Sequence, residues 1–152
     1  MPALRRTGPS IILVFTLWLI ASATAFAQGT ASGPRVVLKG YDPVGYFTEG
    51  RPMKGLAQFN YDFDGERYLF SSAANRDRFA AHPERYAPQF AGYCTGSMSR
   101  GVRNEADPEA WIIADGRLYV FGQVKFMHQA KQDPRWLTER IALAGENWRG
   151  KK

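Results

Sequence analysis

Polar and apolar residues alternate from Gln58 to Phe63 (QFNYDF), which places Phe59, Tyr61 and Phe63 on one face of an extended strand. Asp64-Gly65 follows as a two-residue hairpin signal, and Tyr68 and Phe70 alternate on the return. The period changes at Ser71. A serine cap at position 71 or 72, then Ala73, Phe79 and Ala80, predicts a helix that stops before Pro83. The same plan recurs. Asp115, Gly116, Tyr119, Phe121 and Pro134 stand 51 positions after Asp64, Gly65, Tyr68, Phe70 and Pro83, the constant offset that an internal repeat leaves. Beyond Pro134, Leu137, Ile141 and Ala144 form a helical stripe. The expectation is an α+β domain: two hairpin-plus-helix units, a pseudo-repeat, packed as one small domain with a C-terminal helix. Asp42-Pro43 reads as a helix or turn start ahead of the first hairpin.

The N-terminal pattern differs from all of this. Arg5 and Arg6 precede an unbroken apolar run, Ile11 to Ile20, and Ala25-Phe26-Ala27 has the small-x-small form that signal peptidase reads. Residues 1–27 are therefore expected to be a secretory signal peptide cut after Ala27. The run is short for a membrane span, which needs about 20 residues. No span is expected once the signal is removed. Residues 28–35 are small and polar and read as a flexible leader, leaving 36–149 as the folded domain. The location that follows is periplasmic or secreted.

Charge adds little. Of the 20 lysines and arginines, 18 lie beyond the signal, against all 14 acids. The basic residues are scattered among acids, so the surface reads as solvated and offers no nucleic-acid patch.

Cysteine changes the picture more. Cys94 is the one cysteine of the 152 residues, so no internal disulfide forms. It lies in FAGYCTGSM, which reads as a separate element between the two units. Three roles are open to it. A free cysteine is often a small buried residue. Cys94 and Met98 are also soft donors that suit copper(I), in a loop loosened by Gly92 and Gly96. Alternatively the thiol pairs with another chain or reacts with a small molecule. His82 and His128, the two histidines, have no zinc-type spacing and read as surface residues. Met53 is a further soft donor in a loop. Asp42, Asp64, Asp107 and Asp115 each adjoin proline or glycine, where capping and turns account for an aspartate. The chain has no Gly-x-Ser-x-Gly, Walker loop, HExxH or CxxC, and a binding role is expected over an enzymatic one.

The segments LKGYDPVGYFTEG, YDFDGERYLFSSAANRDRFAAHPERYAPQFAGYC and DPEAWIIADGRLYVF, with a closing NW, resemble the YHS domain family. The closer resemblance is to small exported bacterial YHS-domain proteins, and it runs from Val37 to Trp148. Metal-associated YHS domains resemble a pattern with cysteines at places that are Gly45, Ser71 and Asn75 in this chain. None of these supplies a thiolate, so the resemblance carries no metal site to them. The exported branch has a GYC element, present as Gly92, Tyr93 and Cys94.

The functional expectation is an exported, non-enzymatic binding protein. Its ligand is a soft metal, copper first, held by Cys94 and Met98. One alternative is a metal-free module that takes a small ligand or a protein partner in an aromatic pocket with Tyr41, Asp42, Tyr46 and Tyr93. The other is a thiol-based redox protein.

Overall fold

The computed structural model describes Met1 and residues 33–150. The expected signal peptide and the first part of the leader lie outside the described residues. Among the described residues four strands and six α-helices follow one another in two rounds. The first round holds α1 (Gly45–Thr48), the hairpin β1 (Leu56–Phe63) and β2 (Glu66–Phe70), α2 (Ala73–Ala81) and α3 (Pro83–Tyr86). The second holds α4 (Thr95–Met98), β3 (Asp107–Ala114) and β4 (Arg117–Phe121), α5 (Val124–Gln132) and α6 (Pro134–Arg149). The fold is α+β and the pseudo-repeat is real. Tyr61 pairs with Tyr68 and Ile112 with Tyr119, and both hairpins carry a register shift, at Leu56/Asn60 and at Asp107/Trp111. Both hairpins turn on Asp-Gly pairs with positive φ at each residue, as a twisted two-residue turn requires.

Each round opens on the same rare backbone. Leu38, Lys39 and Gly40 have φ of 53°, 52° and 81°; Phe90, Ala91 and Gly92 have 56°, 51° and 76°. Three successive left-handed residues, two with side chains, cost about 1–2 kcal/mol per non-glycine residue. Buried anchors hold them: Leu38 sits in one core and Phe90 in the other. Each turn closes with a backbone bond, Tyr41 N–H to Leu38 and Tyr93 N–H to Phe90, both 3.0 Å.

The cores do not follow the repeat. Along β4, Leu118 and Val120 join the first core, with Tyr68, Phe70 and Phe79, while Tyr119 and Phe121 join the second, with Met98, Met127 and Leu137. A strand buried on both faces reads as a continuous apolar run, which is what LYVF is. Phe79 of α2 meets the rings of Tyr61, Phe63, Tyr68 and Phe70. Ser72, not Ser71, caps α2 by accepting the Asn75 N–H. The Leu137, Ile141 and Ala144 stripe of α6 faces the second core as expected, and Asp133 caps the helix through the Trp136 N–H. Where α3 stops after one turn, its counterpart α6 continues to Arg149 and packs on α4, with Asn147 Nδ2 donating to the Met98 carbonyl at 3.0 Å. Among the described residues no helix is long and apolar enough to cross a membrane.

Burial pushes the hydroxyls of Tyr46, Tyr68 and Tyr119 above the ordinary tyrosine range. In the unfolded chain these groups ionise near pH 10. The folded state keeps its protons longer, so stability holds below about pH 10 and falls as pH rises beyond it. Absorbance at 295 nm and circular dichroism, followed together from pH 8 to 13, are expected to show a fraction of the seven tyrosines ionising only as the fold is lost. Ionisation of all seven with the fold intact would contradict this burial.

Candidate functional site

The two rounds place one position in a special environment, and they fill it differently. In the first round that position is Asp42. Its N–H donates to the Met53 carbonyl at 2.8 Å, and its carboxylate is completely buried. Oδ1 accepts the Val44 N–H at 2.8 Å. Oδ2 accepts the Ser71 N–H at 2.8 Å, the Ser71 hydroxyl at 2.6 Å and Asn75 Nδ2 at 2.7 Å. A buried carboxylate without a cation needs such a shell of donors, and here the shell is complete. Asp42 is therefore turned inward, as the bolt that joins the first turn to the end of β2 and the start of α2.

The second-round counterpart is Cys94. Its N–H donates to the Asn104 carbonyl at 2.9 Å, as that of Asp42 does to Met53. Tyr93 bridges to Glu105 as Tyr41 bridges to Lys54. The Gly122 N–H donates to Cys94 Sγ at 3.1 Å, repeating the bond from the Ser71 N–H to Asp42. Cys94 is thus no separate element between the units; it opens the second one, 52 residues after Asp42. Around it the side-chain donors are gone. Gly122 stands for Ser71 and Phe126 for Asn75, both 51 positions on. A thiol is shorter than a carboxylate, and glycine leaves the volume of a hydroxymethyl group empty. The result is a cavity of about 310 Å³ over the sulfur. Phe126 and Trp136 wall it, and Ser97, Asn104, Gln123 and Arg100 supply polar groups. Cys94 itself is 5% exposed. A shallower depression of about 500 Å³ beside His82 and Arg85 has no such convergence.

The structure separates the other candidates. The Met98 side chain is wholly buried in the second core, whereas Cys94 belongs to the first. The ring of Tyr41 lies under the Lys54 ammonium, 4.5 Å from its centroid. Tyr46 is buried, packs edge-on against Trp111 with centroids 5.1 Å apart, and donates its hydroxyl to the Pro108 carbonyl at 3.0 Å. Tyr93 packs near Trp148 beneath the Arg35 guanidinium, 4.1 Å from the ring centroid. None of these three tyrosines lines the cavity, whose aromatic walls come from Phe126 and Trp136. His82 and His128 are exposed. Met53 lies against Gly45, where an added Cβ would stand 3.3 Å from its Cγ. Among the described residues no group of three or more histidine, cysteine, aspartate or glutamate side chains is placed to hold a metal ion.

The YHS domain family model matches residues 44–90. Over those residues the chain is similar to YHS domains. The match begins beside α1 and ends in the second left-handed turn, so it covers most of the first round and stops short of Cys94. The three positions where the metal-associated pattern has cysteine all fall inside it. Within the matched stretch Ser71 and Asn75 are occupied as donors to Asp42, and Gly45 abuts Met53. No curated protein and no solved structure matched the chain.

The residues that make the cavity, Gly122, Phe126, Trp136 and Arg100, are missed by the motif reading. A signal for them does exist. Gly40-Tyr41-Asp42 and Gly92-Tyr93-Cys94 match at an offset of 52, one more than the hairpins, and the hairpins' own offset of 51 brings Ser71 onto Gly122.

Proposed function

We propose that this chain is an exported, non-enzymatic binding protein whose ligand is a small organic molecule held in the cavity over Cys94. The observation that carries this reading is the contrast between the rounds. Where Asp42 is sealed by Ser71 and Asn75, Cys94 is roofed by Gly122 and flanked by Phe126, and a ligand-sized space results. Small-molecule sites are concave and largely apolar, with a few converging polar groups, and start near 300 Å³. The soft-metal reading, with copper bound by Cys94, has in its favour a thiol that lines a cavity. It lacks a second soft donor there, because Met98 packs into the other core.

The test sets wild type against Gly122→Leu, which fills the cavity from a backbone position outside the left-handed region. A library of small organic molecules is screened by thermal shift on both proteins. Expected are compounds that stabilise wild type and lose their effect in the filled variant; a ligand at 100 times its Kd adds about 2.7 kcal/mol. Compounds that act equally on both would place binding elsewhere. In parallel, copper(I) is titrated against a competing chelator. Tight binding abolished by Cys94→Ser, without organic hits, would replace this reading with the metal one.

A further inference from the structure

The cavity also carries a charge and shape signature. Arg100 lines its rim, and its guanidinium has no hydrogen-bond or ion-pair partner among the described residues. The acid on the same rim, Glu105, is already engaged by Arg35 at 2.9 Å. A second guanidinium, that of Arg140, lies 5.7 Å from the Trp136 ring centroid, and its Nε is buried without a hydrogen-bond partner. With Glu105 engaged by Arg35, the Arg100 guanidinium is the unpaired charge on the rim, and an anion is attracted to it. The apolar part is aromatic: Phe126 and Trp136 are both half-buried and turn ring surface to the space. Rings stacked against such walls gain beyond their buried area. About 310 Å³ admits one ring with a short polar arm and is too small for a folded peptide. A guanidinium pairs with a carboxylate through two parallel hydrogen bonds. Glu105 at the rim weighs against a second negative charge on the ligand.

We propose that the ligand class is the small aromatic monocarboxylates, with the ring against Phe126 and Trp136 and the carboxylate on Arg100. This rests on the small-ligand reading above and adds its chemistry. Ser97, Asn104 and Gln123 then select among ring substituents.

The experiment uses the full chain with benzoate and phenylacetate as probes, benzamide as the neutral analogue and acetate as the anion without a ring. Two readouts are taken: thermal shift, and protection of Cys94 from iodoacetamide. Benzoate or phenylacetate is expected to stabilise the protein and slow alkylation, with benzamide and acetate at least tenfold weaker. Arg100→Gln should cut carboxylate affinity about tenfold or more and leave benzamide unchanged. Equal binding of benzamide, or no effect of Arg100→Gln, overturns the carboxylate class while the cavity stands. Failure of both carboxylates beside other compounds that are lost in Gly122→Leu also overturns the class alone. Failure of the carboxylates together with a screen lacking any Gly122→Leu-sensitive compound overturns the small-ligand reading itself.

Discussion

Asp42→Ala is expected to remove about 4 kcal/mol of folding stability, because it strands the Val44 and Ser71 N–H groups, the Ser71 hydroxyl and Asn75 Nδ2 at once. Each buried donor left unmade costs about 1–3 kcal/mol, and partial rehydration of Ser71 lowers the sum. A domain of this size holds about 5–15 kcal/mol in total, so the variant sits near the folding threshold. Asp42→Asn keeps the shape but turns an amide N–H₂ toward donors; a loss of about 2 kcal/mol is expected. Urea unfolding of both, with the m value compared, measures the effect. An alanine variant within 1 kcal/mol of wild type would show that the carboxylate is not the bolt described, on the scale at which ordinary substitutions act.

The second large effect is a conversion. Cys94→Asp, Gly122→Ser and Phe126→Asn together write the first-round cluster into the second round. The Gly122 backbone accepts a side chain, and an added Cβ would lie 3.6 Å from the Cys94 sulfur, an ordinary contact. The triple variant is expected to fold with at least the stability of wild type, since each new acceptor meets a new donor. Single Cys94→Asp is expected to lose about 2–4 kcal/mol, because its carboxylate finds the Gly122 N–H and little else. All ligand-induced thermal shift should vanish in the triple variant. If it folds less well than the single variant, the two positions are not equivalent. Retained ligand binding would remove the cavity from the function.

Much of the fold is legible along the chain because it is local. The hairpins show as a period of two broken by Asp-Gly, and α6 shows as a stripe behind Asp133-Pro134. The left-handed turns are not legible. Leu38, Lys39, Phe90 and Ala91 have no local preference for positive φ, and their conformation is imposed by burying Leu38 and Phe90. The two-faced burial of β4 is likewise set by cores that cross the repeat boundary. The thiol at 94 is conspicuous in the sequence, and its environment is not, because the cavity arises from what Gly122 lacks. The pairing of Cys94 with Met98 fits the loop's spacing, yet the one-turn helix α4 sends the two side chains into different cores.

The repeat also has an evolutionary consequence. The Asp42 cluster fixes the frame by itself, so the matching place in the other half is released from that duty. Apolar or neutral substitutions at 122 and 126 can reshape the cavity over Cys94 while the Asp42 cluster stays intact. One half of the repeat can thus vary around its cavity while the other preserves the architecture.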